Sequence, residues 1–121
     1  MNIAEKKRTF DLEGRLIDFA CLVIETVKSL PSDRFTYYLG QQLIRPGTSP
    51  ALNYGEALGA ESRKDFIHKM RICLKELRET NICIKILCRS NYLSEGRPIV
   101  RECHELISIF VKSIQTAEGH L

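Results

Sequence analysis

Apolar residues recur at every third or fourth position in four segments of this 121-residue chain. This spacing places them along one face of an α-helix, and no segment shows the alternation that is typical of a strand. Because the segments are long and their connections short, we predict an all-α, antiparallel, up-down-up-down four-helix bundle. The predicted single domain comprises residues 1–121, with helices over 12–30, 33–59, 62–89 and 97–117.

Composition and cysteine content favour a globular protein of the cytoplasm. Apolar residues make up 44% of the chain, and no apolar run approaches the roughly 20 residues that span a bilayer. We therefore expect no membrane association. The first ten residues lack the apolar region of a secretory signal. The five cysteines form no C-x-x-C pair and lie in apolar segments, so we expect buried, reduced thiols. They are Cys21, Cys73, Cys83, Cys88 and Cys103.

Positive charge is concentrated in one part of the chain. The net charge is only +3, but residues 61–89 hold eight basic and four acidic side chains. On a helical wheel, six of the basic residues form one stripe along the third predicted helix. They are Lys64, Arg71, Lys75, Arg78, Lys85 and Arg89.

This stripe has three interpretations. Together with Arg45 it can follow the phosphates of RNA or DNA, or it can meet an acidic surface on a neighbouring subunit or protein partner. It can also be a solvated face with pairs one helical turn apart, such as Lys75 with Glu79. No aromatic residues are interleaved with the stripe to stack on the bases of a single strand.

Two of the predicted helices carry a second apolar stripe. A bundle helix buries one stripe against its own bundle, so a second one suggests another partner, most simply a second copy of the chain. The alternative is that these are scattered surface residues. In the first helix they are Ile17, Cys21 and Ile24, and in the third Ile72, Ile82, Cys83 and Ile86.

No motif predicts catalysis or metal binding, and we expect no cofactor. The chain has no phosphate-binding Gly-rich loop and no G-x-S-x-G motif. Asp65 and His68 have the spacing of a helical metal motif, but they point away from the predicted core. His104 has no carboxylate three residues before it, so a paired di-iron arrangement is absent.

The segment QQLIRPGTSPALNYGEALGAES combines two prolines with polar residues at helical spacing. We predict that it continues the second helix, bent at Pro46 or Pro50, and that Gly47 allows a close approach between helices. The polar residues are predicted to bond across to the third helix and fix its register, although a direct ligand-binding role is the alternative. The proposed network comprises Gln42, Ser49, Asn53, Glu56, Lys69, Glu76 and Glu79, with Lys75 as a further candidate partner.

The same segment and the helix after it resemble the four-helix bundle proteins encoded in intervening sequences of bacterial 23S ribosomal RNA, also called S23 ribosomal proteins. The chain departs from the pattern at Pro46, where a small residue is usual, and at Ile82 and Cys83, where an aromatic pair is usual. The matching positions are Gln42, Leu43, Arg45, Gly47, Thr48, Ser49, Asn53, Glu56, Ala57, Ser62, Asp65, Phe66, Lys69, Lys75, Glu76, Glu79 and Thr80.

The resemblance implies a left-handed bundle that assembles into a ring, with a homopentamer as the expected form. The accessory protein of diversity-generating retroelements is similar in fold and binds nucleic acid and a reverse transcriptase. We therefore expect a non-enzymatic, nucleic-acid-associated bundle, most simply one that binds RNA. The alternative is a protein–protein scaffold that uses the charged stripes between subunits or for a protein partner.

Overall fold

The computed structural model of the protein describes residues 11–119 and contains four α-helices, which confirms the prediction of an all-α fold. No strand occurs within this range. None of the four helices described is both long and apolar enough to cross a membrane. Their bounds lie within two residues of the predicted ones: α1 is Leu12–Lys28, α2 Arg34–Leu58, α3 Arg63–Arg89 and α4 Pro98–Ala117.

Short polar side chains or a proline determine where each helix begins. The Asp11 carboxylate accepts a hydrogen bond from the Gly14 amide at 2.8 Å and caps α1. Asp33 and Thr36 form a reciprocal capping box at the start of α2. The Ser62 hydroxyl accepts from the Asp65 amide at the start of α3. Helix α4 starts with Pro98, which has no amide hydrogen to leave unpaired there.

The helices pack as a closed bundle in which each consecutive pair is in contact and α4 also contacts α1. Helices α1 and α3 are therefore diagonal to each other. Contacts between α2 and α3 pair early residues of one helix with late residues of the other. The Cys83 thiol lies 3.6 Å from the Leu39 carbonyl oxygen, and Lys69 binds Glu56 at 3.1 Å. The predicted up-down-up-down order of all four helices stays a prediction.

The core consists of apolar residues from all four helices, together with Leu93 from the connection between α3 and α4. Leu87, Ile99 and Leu106 are fully buried. The assignment of Cys83 to an outward-facing stripe is wrong, because its side chain is 7% exposed and packs at the contact with α2. The buried apolar residues are Leu16, Phe19, Val23, Leu43, Ala57, Met70, Cys73, Leu77, Cys83, Ile84, Leu87, Leu93, Ile99, Cys103, Leu106, Phe110 and Ile114.

Helix α2 continues through both of its prolines and packs closely on α1. Pro46 and Pro50 are buried, and the bend predicted at one of them stays a prediction. A Cβ atom added at Gly47 would lie 2.7 Å from Val23 Cγ2 and 3.3 Å from Val23 Cβ. Any larger residue would therefore push the two helices apart, and Gly47 serves the close approach that the sequence predicts.

Candidate functional site

The outer face of α3 carries exposed basic residues that have no acidic partner among residues 11–119. Within residues 11–119, five of the seven cations predicted to contact nucleic acid or a partner form no ion pair. Because α3 rises by 1.5 Å per residue, this row of charges extends over about 38 Å. We call it the basic face, and it consists of Lys64, Lys75, Arg78, Lys85 and Arg89.

Arg45, which the sequence assigned to phosphate binding, is exposed but forms ion pairs with the neighbouring helix. Its guanidinium donates to Glu76 at 2.9 Å and to Glu79 at 2.7 Å, and so joins α2 to α3. The hydrogen bond to Glu79 is the main reason that the pKa of Arg45 is raised. Because Glu79 is directed toward Arg45, it does not form the predicted pair with Lys75 in the described part of the chain. The pair of Lys75 with Glu79, on which the interpretation as a solvated face relied, is therefore not formed in residues 11–119.

Arg71 is the other predicted contact residue that has a partner within the chain. Its guanidinium donates to the carboxylate of Glu118, just after the end of α4. This contact ties the end of α4 to the first half of α3. Arg71 remains exposed, so the pair neutralises part of the charge at one end of the basic face.

The predicted polar network forms only in part. Lys69 and Glu56 bond across the contact between α2 and α3, as do Glu76 and Glu79 through Arg45. By contrast, the expected inter-helix bonds of two α2 residues are absent in residues 11–119. Asn53 donates instead to the Ser49 hydroxyl at 2.8 Å and to its carbonyl oxygen, both one turn earlier on the same helix.

Gln42 and Lys75, the remaining two candidates for the polar network, form no bond between α2 and α3 within residues 11–119. Gln42 is exposed and makes no side-chain hydrogen bond in the part of the chain that the structure describes. Lys75 is likewise exposed and unpaired there, which assigns it to the basic face. Apolar packing and ion pairs thus hold α2 against α3, and Arg45 and Glu56 are the polar residues of α2 that contribute these pairs.

The basic face and one predicted apolar interface occupy the same surface. A shallow groove of about 440 Å³ on the outside of α3 has cations along it and Leu74 and Ile82 as apolar lining. Ile82 is 54% exposed and lies in the same angular sector as Lys75. A partner that covers Ile82 must therefore also cover charged residues. The lining residues are Arg71, Leu74, Lys75, Arg78, Glu79 and Ile82.

The other predicted interface residues lie on two diagonal helices. Ile17 and Ile24 of α1 are 48% and 41% exposed, and Ile86 of α3 is 45% exposed. Cys21 of α1 is also exposed, whereas Ile72 is half-buried. The exposed apolar residues of α1 and α3 thus face away from each other across the bundle.

The cysteines divide into buried and accessible thiols, and none forms a disulfide. Burial raises the pKa of Cys73 and of Cys103 to about 12, and that of Cys83 to about 11. Such thiols are poor nucleophiles at neutral pH. The expectation that all five are buried is wrong for Cys21, which is exposed, and Cys88 is only half-buried.

Within residues 11–119, no group of three or more histidine, cysteine or acidic side chains is arranged to hold a metal ion. Asp65 uses its amide for the cap of α3, and His68 is exposed. His104 lies 3.1 Å from the Asn81 side-chain oxygen, which connects α4 to α3. His68 and His104 thus lie on the surface and do not form a common site.

Sequence reasoning missed an aromatic patch at the start of α2. Phe35, Tyr37 and Tyr38 are 62%, 73% and 63% exposed, although aromatic side chains are usually buried or part of a binding surface. Tyr37 also lines a groove of about 740 Å³ between the end of α1 and the start of α2. The signal was available, since three aromatic residues in four positions directly after a helix cap cannot all face one core.

Comparison with known proteins gives the family of this bundle. The family model for the 23S rRNA-intervening sequence protein matches residues 10–112. The chain belongs to this family. The motif between Gln42 and Thr80 that carried the resemblance lies inside the matched range, so the family predicted from the sequence is confirmed. None of the curated proteins matches the chain.

A solved structure of this family has the same fold. It is a protein with unknown function from the S23 ribosomal protein family of Bacteroides thetaiotaomicron VPI-5482. The two chains are 30% identical with a TM-score of 0.79, and the match covers 85% of this chain and 97% of the other. The likeness between the two structures therefore extends over most of the bundle. The molecular role therefore has to be argued from the surface of this chain.

Proposed function

We propose that the protein is a non-enzymatic binding protein that holds nucleic acid, most simply RNA, on the basic face. The observation that carries this proposal is that Lys64, Lys75, Arg78, Lys85 and Arg89 are exposed and have no acidic partner within residues 11–119. A row of unpaired cations attracts a polyanion, and the counterions that it releases favour binding. The free thiols are consistent with a reducing compartment.

Charge placement on α3 favours a ligand outside the chain over a solvated face. Two acidic residues that could neutralise the middle of the outer face, Glu76 and Glu79, are held at its flank by Arg45. The basic face therefore keeps its positive charge and presents it along one line. Pairs one turn apart on the same helix would have cancelled much of this field.

Titration with labelled RNA and DNA at several salt concentrations tests the proposal. If all five cations contact phosphates of a single strand, the logarithm of the binding constant should fall with the logarithm of salt with a slope near about −3.5. Reversing two charges in the Lys75→Glu, Arg78→Glu variant should weaken binding and flatten the slope. Binding that is absent, or that does not change with salt, would contradict the proposal.

A matched control separates the basic face from total charge. Arg101→Glu with Lys112→Glu makes the same change in net charge at two exposed positions of α4. This variant should retain most of the affinity. Equal losses in the two variants would indicate that only net charge matters. Circular dichroism should be unchanged in both, because all four positions are exposed; unfolding of the Lys75→Glu, Arg78→Glu variant would assign its residues a structural role.

A second proposal is that the chain assembles with copies of itself, with a five-membered ring as the expected form. The exposed isoleucines support it, because those of α1 and those of α3 lie on diagonal helices. Two different patches on opposite sides favour head-to-tail contacts, which form a ring when the rotation between neighbours closes. Such a ring could also dock a protein partner and act as a scaffold.

Light scattering of the wild type and of Ile17→Lys with Ile24→Lys tests the assembly. The wild type should have a mass several times 13.9 kDa, and the variant should be a folded monomer. A monomeric wild type would contradict the ring. Affinity purification of the tagged chain examines the scaffold role, and a preparation without a protein partner that still binds RNA would count against that role.

A further inference from the structure

The aromatic patch at the start of α2, formed by Phe35, Tyr37 and Tyr38, has chemistry that the basic face lacks. The rings leave more than half of their surface in solvent. Exposed aromatic rings next to cations are typical of proteins that bind single-stranded nucleic acid, since every base has a π-face that can stack. A duplex, whose bases are already stacked on each other, offers no such contact.

The surroundings of the patch carry positive charge. The Arg34 guanidinium lies 5.8 Å from the centre of the Phe35 ring, and Lys28 lines the α1–α2 groove together with Tyr37. Asp33 also lines this groove, but its carboxylate accepts the Thr36 amide as a helix cap. The groove therefore presents two cations and one capping carboxylate beside an aromatic ring, which suits an anionic ligand with a flat ring, such as a nucleotide, better than a neutral apolar partner.

The register between α2 and α3 brings the patch to one end of the basic face. Leu39 is level with Cys83, because the Cys83 thiol contacts the Leu39 carbonyl oxygen at 3.6 Å. Counting 1.5 Å per residue from this contact, Phe35 differs from Lys85 and from Arg89 by only about 3 Å along the bundle. Adjacent helices are about 8–10 Å apart. A strand whose phosphates follow the basic face can thus reach the rings.

We infer that the nucleic acid bound by this protein is single-stranded and that Phe35, Tyr37 and Tyr38 stack on its unpaired bases. This inference rests on the proposed function, because the basic face supplies the phosphate contacts. The rings add affinity for bases without reading their sequence. The patch therefore determines the strandedness of the ligand, while the cations determine its charge.

The test compares three fluorescently labelled ligands by anisotropy: a single-stranded oligonucleotide, the duplex of the same sequence, and an abasic oligomer with the same number of phosphates. The single strand should bind at least about fivefold more tightly than the abasic oligomer for each base that stacks. It should also bind more tightly than the duplex. Equal affinity for the single strand and the abasic oligomer would overturn the inference without affecting the proposed function.

Substitutions in the aromatic patch, measured with the same ligands, give a second test. Phe35→Ala with Tyr37→Ala and Tyr38→Ala should reduce single-strand affinity to that of the abasic oligomer, and leave the affinity for the abasic oligomer unchanged. Tyr37→Phe with Tyr38→Phe should retain binding, because the rings remain. Leu52→Ala, which alters an exposed apolar residue elsewhere on α2, is the control and should have no effect.

The remaining outcomes also decide the question. If the triple alanine variant changes the mass of the assembly but not the affinity, the patch is a contact between subunits and the inference is wrong. If none of the three ligands binds the wild type, the proposed function itself fails. If the variant does not fold, the comparison of single strand with abasic oligomer on the wild type still gives the answer.

Discussion

The contact between α2 and α3 and the outer face of α3 both carry charged residues, but their partners lie in different places. At the contact, Arg45 and Lys69 bind carboxylates of the neighbouring helix. On the outer face, Lys75 and Arg78 bind no carboxylate in the described range. The same helix thus uses charge on one side to contact its neighbour, and on the other side it carries the unpaired cations to which the proposed function assigns the ligand.

Burial gives the largest expected difference between the two sides of α3. Leu77 has no exposed surface, whereas Ile82 is 54% exposed. Leu77→Ala should lower the free energy of unfolding by about 2–5 kcal/mol, because it leaves a cavity in the core. Ile82→Ala should change the free energy of unfolding of a single chain by about 0.5 kcal/mol or less, because its side chain is exposed there. Urea unfolding measures both, and similar losses would contradict the division of the helix.

Two glycines of α2 sharpen the comparison between a packed and an open helix face. Gly47→Ala should lower stability by about 1–3 kcal/mol, because the added methyl group meets the branched Val23. A Cβ atom at Gly55 meets nothing within 4 Å. Gly55→Ala should therefore raise stability by about 0.5–1 kcal/mol, since alanine favours the helix more than glycine. Changes of the same sign would refute the close approach at Gly47.

Charge reversal compares the two sets of cations directly. Arg45→Glu places a third carboxylate beside Glu76 and Glu79, so it should lower the melting temperature clearly. Lys75→Glu should leave the melting temperature nearly unchanged and should weaken nucleic-acid binding. Scanning calorimetry together with the titrations distinguishes the two. If Lys75→Glu is the more destabilising change, the outer face contributes to the fold.

Thiol reactivity gives the smallest effect at neutral pH. Cys21 should react with iodoacetamide in the folded protein, whereas Cys73 and Cys103 should be protected. Burial raises the pKa of the two buried thiols from 9.0 to about 12. The folded protein therefore keeps protons that the unfolded chain loses, and stability should fall as pH rises from 9 toward 12. Mass spectrometry and alkaline unfolding check these outcomes.

Most of the fold follows from local sequence, and the side-chain contacts of the site do not. Asp11, Ser62 and Pro98 mark helix starts because capping is decided within one turn. The partner of Arg45 could not be predicted in this way, since Glu76 is 31 positions away and becomes its neighbour only when α2 and α3 are aligned. A helical wheel also cannot tell a flank that contacts α2 from one that faces water, and for this reason Cys83 was assigned to the wrong face.

The prolines of α2 have a consequence for how the chain folds. Pro46 and Pro50 cannot donate to the carbonyl groups of Gln42 and Pro46, so two backbone hydrogen bonds one turn apart are missing in the middle of the helix. The parts of the helix before Pro46 and after Pro50 are at or below the length of roughly 12–15 residues under which isolated helices are marginal in water. Helix α3 has 27 residues without proline and can start to form by itself. We therefore expect α2 to become ordered late, when α1 and α3 already offer the surfaces on which its glycine and proline residues pack.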